Sequence, residues 1–85
     1  MTLMKATWTV YIIQSHSGKL YTGITTCLEE RFKAHSSQSK GAKFFRFSPP
    51  EEVIFCESYP NRSEASKRES EIKKMTRLEK LKLAS

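Results

Sequence analysis

Two runs rich in β-branched and aromatic residues, Trp8 to Gln14 (WTVYIIQ) and Leu20 to Thr25 (LYTGIT), are separated only by the polar stretch Ser15 to Lys19. Such a gap holds a turn but not the crossover that parallel strands require, so the chain opens with an antiparallel hairpin. That excludes a doubly wound parallel sheet. The first run is apolar at odd and even positions alike and reads as a strand covered on both faces. If the turn centres near His16 and Ser17, Tyr11 and Tyr21 become cross-strand neighbours.

Downstream, Thr26 followed by Glu29 gives a capping-box pattern, and Leu28, Phe32 and His35 recur at helical spacing, predicting a helix from about Cys27 to Ser36. Ser36 to Pro50 has no clean period and reads as a loop with at most a short helical turn. Glu52 to Tyr59 (EVIFCESY) is a third strand, whose apolar run suggests a central place in the sheet. Asn61 with Glu64 starts a second helix, from about Arg62 to Lys74, and Thr76 with Glu79 opens a last short one carrying Leu78 and Leu81. The order β-β-α-β-α-α belongs to the α+β class, a sheet with helices packed around it.

Eighty-five residues can bury one modest core, hence a single domain. The formal net charge of +6 favours polyanionic partners, nucleic acid first among them. Cys27 and Cys56 have neither zinc nor C-x-x-C spacing and read as free thiols of a reducing compartment. No signal peptide and no apolar run of roughly 20 residues is visible, so a soluble cytoplasmic protein with no membrane partner is expected. The chain also has no P-loop, no H-E-x-x-H and no nucleophile elbow.

Several residues could carry chemistry. Ala65, Ile72 and Met75 or Thr76 define the inward face of the second helix, and Glu69 falls on it. A carboxylate there is costly unless it meets a cation or metal, although a solvated Glu on a slightly different face would read the same way. Arg31 and His35, at i and i+4 beside Leu28 and Phe32, point to the border of the core. There an arginine could neutralise a phosphate and a histidine could orient it or move a proton, or both could be ordinary surface groups. Tyr11 and Tyr21 are packing residues when taken singly, but two phenols beside an arginine are less ordinary. Gly23 interrupts its strand, which fits either a close approach near Tyr21 or a simple bulge. Lys40, Lys43 and Arg46, interleaved with Phe44, Phe45 and Phe47, match a phosphate-tracking segment with stacking platforms.

Taken together, V-Y-I at Val10 to Ile12, Y-T-G at Tyr21 to Gly23, Arg31 with His35, and Glu69 within A-S-K-R-E-S-E-I-K resemble the GIY-YIG nuclease superfamily in order and spacing. The resemblance runs from about Thr7 to Leu83, one domain over 7–83, and is closest to small bacterial proteins that consist of this domain alone. It implies a three-stranded antiparallel sheet flanked by helices and one divalent metal ion, Mg2+ or Mn2+, held by Glu69. It also implies Tyr11 and Tyr21 as the site phenols, Arg31 as the phosphate clamp and His35 as an accessory group. Tyr11 is then the better candidate for taking a proton from the attacking water, and because a free tyrosine has a pKa near 10, Arg31 or the metal must favour its phenolate. Two departures are visible: Val10 stands where the family name has Gly-Ile, and the asparagine found near the domain end in several members has no counterpart around Leu81.

The expected activity is metal-dependent hydrolysis of DNA phosphodiester bonds, structure-selective or weakly selective, in repair, recombination or processing. The chain is expected to be a monomer, with a protein partner aiding targeting. The alternative is a nucleic-acid-binding module without catalysis, and an adaptor using the C-terminal helix ranks behind both.

Overall fold

The computed structural model describes residues 7–36 and 50–85, with the backbone alone for Ala34 to Ser36. Its elements are β1 (Trp8–Ser15), β2 (Leu20–Thr25), α1 (Leu28–Ser36), β3 (Pro50–Tyr59), α2 (Arg62–Lys73) and α3 (Arg77–Ala84). The strands form one antiparallel sheet in the order β2-β1-β3, flanked by the helices. The α+β class and the element order are those read from the sequence.

The central strand is β1. Val10, Tyr11, Ile12 and Ile13 are all 0–1% exposed, as an unbroken apolar run demands when both faces are covered. The expectation of a central β3 is corrected. Its apolar stretch is only half-buried, Glu51, Glu52, Cys56 and Ser58 are exposed, and the strand lies at the sheet edge, where charge discourages pairing with another chain. Alternate residues of β1 supply two different cores. Val10 and Ile12 pack with Ala65 and Ile72 of α2, joined by Met75 and Leu83. Tyr11 and Ile13 pack with Tyr21, Val53 and the α1 residues Leu28 and Phe32.

The hairpin register also differs from expectation. Gly18 takes φ +90°, Ser15 and Lys19 are bridged by backbone and by the Ser15 hydroxyl, and the turn centres on Ser17. Tyr11 therefore faces Gly23, and Tyr21 faces Ile13. The two tyrosines become diagonal neighbours on one face, not direct partners.

Two of the three helix starts follow the capping patterns. The Asn61 side chain accepts from the Glu64 N–H at 2.9 Å, and Thr76 with Glu79 forms a complete capping box. At α1 the expected Thr26 cap is displaced. The Cys27 N–H is held by the Thr25 hydroxyl at 3.1 Å and the Arg31 N–H donates to the Cys27 carbonyl, so the helix begins at Leu28. Among the described residues, no helix is long and apolar enough to cross a membrane.

Candidate active site around Tyr11

Tyr11 is the centre of the arrangement. It is 1% exposed, and its ring lies over Gly23: a Cβ at residue 23 would stand 2.5 Å from the Tyr11 Oη and 3.2 Å from the Tyr21 ring. The β1–β2 register runs unbroken from Thr9↔Thr25 to Gln14↔Leu20, so Gly23 marks a close approach rather than a bulge. Any side chain there would displace the phenol. The Tyr21 ring sits 6.3 Å from that of Tyr11, tilted by 39°.

Arg31 reaches Tyr11 from α1 by a hydrogen bond, and Glu69 of α2 acts on the same phenol electrostatically. Tyr11, Tyr21 and Arg31 thus meet around one phenol, and Glu69 of α2 acts on it only through space. Burial pushes the Tyr11 pKa up to about 12, against the opposing pull of the Arg31 hydrogen bond. The expectation that Arg31 would favour the phenolate has the right direction, but loss of water outweighs it. At neutral pH this phenol keeps its proton. Beside Arg31 opens a polar cleft of about 270 Å³, lined also by Thr25, Thr26, Cys27 and Glu30.

Glu69 is only 22% exposed and pairs with Lys73, one turn along α2, at 3.3 Å. Its position is fixed by its neighbours. Ala65 and Ile72 are fully buried as expected, and Met75, not the exposed Thr76, completes the inward face. The adjacent Arg68 clamps α2 to β3 through Glu57, with Nε to Oε1 at 3.0 Å, and also meets Glu71 at 2.9 Å. The Tyr59 hydroxyl donates to the same Glu57 oxygen at 2.6 Å, and this bond together with Arg68 holds the Glu57 carboxyl below its usual range.

The donor chemistry decides which metal could be accommodated. Among the described residues no three His, Cys, Asp or Glu side chains converge. A largely buried carboxylate such as Glu69, which would exchange Lys73 for the cation, suits magnesium or manganese, which keep several waters and are completed by substrate phosphate.

Other sequence expectations fall elsewhere. His35 lies in the last turn of α1, with its side chain outside the described residues, and Lys40, Lys43 and Arg46 are outside them entirely. The sequence reading missed Lys73, although Glu followed by Lys at i+4 is a visible pairing signal, and Thr25, whose hydroxyl shapes the cleft wall.

The chain is similar to known proteins over nearly its whole length. Residues 7–82 match the GIY-YIG catalytic domain. A UPF0213 protein of Desulfotalea psychrophila is 46% identical over 69 residues, covering 81% of this chain and 63% of that protein. One from Staphylococcus epidermidis is 43% identical over 74 residues, covering 87% and 89%. The solution NMR structure of a UPF0213 protein from Bacillus halodurans is 36% identical and superposes with a TM-score of 0.57, covering 91% of this chain and 81% of that one. The chain therefore belongs to the GIY-YIG family, a nuclease superfamily whose members generally use divalent metal ions, and within it to the small UPF0213 proteins.

Proposed function

We propose that the chain is a metal-dependent DNA endonuclease that hydrolyses phosphodiester bonds with weak or structure-based selectivity, through Tyr11, Tyr21, Arg31 and Glu69. The observation that carries this reading is the buried Tyr11 phenol held by the Arg31 guanidinium, beside Tyr21 and within electrostatic reach of Glu69, since such a cluster exceeds what packing requires. Membership of the family supports DNA as substrate.

Arg31, at the cleft wall, would pair with a phosphate oxygen and stabilise the charge that grows there during displacement. Tyr11 would hold its proton in the resting site, release it to solvent once positive charge nearby lowers its pKa, and as the phenolate take the proton of the attacking water at its Oη, with Tyr21 beside it. Glu69 would hold one Mg2+ or Mn2+, which when bound supplies positive charge to polarise the phosphate and to draw the Tyr11 pKa down towards a usable value. His35 is proposed as an accessory group, and Lys40, Lys43 and Arg46 as contacts to the DNA backbone. A role in repair, recombination or processing, in a cytoplasmic monomer, accords with cutting of branched or damaged DNA.

The test is incubation with branched, flapped, nicked, single-stranded and duplex DNAs, with and without magnesium or manganese. Metal-dependent scission that vanishes in Glu69→Ala is expected. Undiminished cutting by purified Glu69→Ala would remove Glu69 from the site, and salt-sensitive binding without any cutting would favour the non-catalytic binding module instead.

A further inference from the structure

A second cationic feature lies at the far end of the hairpin. Lys19 and Leu20, at the start of β2, face Arg77 and Lys80 of α3 across a cleft of about 270 Å³. Three of its four lining residues are cations and none is acidic. Like charges gathered this way set up a positive potential that attracts an anion. The nearest acid on the helix, Glu79, is committed to the capping box, its Oε1 accepting the Thr76 N–H at 2.8 Å. Among the described residues, neither Lys19, Arg77 nor Lys80 takes part in an ion pair.

The cleft is also built rather than incidental. Arg77 donates to the carbonyl of Gly18, the residue at φ +90°, so the turn and the start of α3 are fixed to each other. The guanidinium is held in place while the Lys19 and Lys80 ammonium groups remain available. Lys19 immediately precedes β2, two residues before Tyr21 in the chain.

We propose that Lys19, Arg77 and Lys80 form a docking site for the DNA sugar-phosphate backbone, separate from the scissile phosphate and serving to hold the duplex across the hairpin. The inference rests on the nuclease reading for its ligand. With no base-reading element, it supplies affinity and orientation, not sequence choice.

The experiment measures binding of a fluorescein-labelled DNA duplex by anisotropy without divalent metal, between about 50 and 200 mM salt. Lys19→Ala/Lys80→Ala should bind about tenfold more weakly at the lower salt, with the log–log salt slope reduced by about 1 to 2, as expected for losing one or two phosphate contacts. Lys80→Gln should move partway in the same direction. Lys67→Ala removes one charge from an exposed stretch of α2 and should leave affinity within about twofold. Thermal melts of all variants should overlay the parent. Parental affinity and slope in the double variant would overturn the proposal, as would an equal loss in Lys67→Ala, which would reduce the effect to net charge. If the parent binds and cuts DNA while the double variant is unaffected, the docking site alone falls. If the parent neither binds nor cuts, the nuclease reading falls with it.

Discussion

Tyr11 and Ile12 are adjacent on the central strand, both out of contact with water, and they face opposite ways. Ile12 packs in an apolar cluster with Val10, Ala65 and Ile72, and its burial contributes to stability at about 25 cal/mol per Å². Tyr11 meets a second phenol, an arginine and the field of a glutamate, and its burial is spent holding a proton against the ordinary tyrosine pKa. A two-residue period thus lets one strand separate its tasks. Even positions hold the sheet to α2 and α3, and odd positions carry Tyr11, with Tyr21 and Arg31 around it, against α1.

The largest effect should come from the polar side. Tyr11→Phe keeps the ring and deletes one oxygen, so cutting should slow by roughly 10²–10⁴-fold while DNA affinity and folding hold. The same variant has a pH signature. Because the folded-state pKa is raised from 10.0 to about 12, the unfolded chain ionises first, so this contribution to stability is complete below about pH 10 and is lost as pH climbs towards 12. Denaturant titrations should show the parent losing that increment and Tyr11→Phe lacking it. Equal cutting rates would reduce Tyr11 to a packing residue and erase the contrast.

Next in size is Ile12→Ala, which should cost about 2–5 kcal/mol in urea unfolding, with Ile12→Val at about 0.5–1.5 kcal/mol as the form that stays folded if the larger cavity is too much. The cutting rate per folded molecule should not change by more than about twofold. A rate loss that tracks the cavity would mean the two faces are coupled.

The smallest effect belongs to Thr22, also on the apolar side. It is 3% exposed and its hydroxyl finds no hydrogen-bond partner among the described residues. Thr22→Val should hold or raise stability by up to about 1 kcal/mol, since it removes a desolvated hydroxyl at nearly constant shape. A loss above that in thermal melts would show that the hydroxyl is satisfied.

What the amino-acid sequence disclosed depended on how local the determining physics was. The hairpin, the caps at Asn61 and Thr76 and the inward face through Ala65, Glu69 and Ile72 are set by neighbours within four residues, and each is readable. Strand order is not local: an apolar run such as that of β3 serves equally for a covered centre and a half-covered edge. Register turns on a single residue. With the turn centred on Ser17, rather than between His16 and Ser17, the partner of Tyr11 is Gly23 and not Tyr21. That shift gives Gly23 its purpose, which the sequence reading could place no nearer than Tyr21. The Tyr11 pKa was illegible for the same reason, being set by burial that only the assembled sheet imposes.

The bond from Arg77 to the Gly18 carbonyl spans 59 positions of chain. A hairpin closes on a timescale of about 1–10 μs from local contacts alone, whereas a contact at this separation must first meet the entropy of closing a long loop. During synthesis the hairpin is made before α3. The strands that carry both tyrosines can therefore pair early, but their turn stays unanchored until the C-terminal helix arrives. In the order of assembly, the last helix fastens the first hairpin.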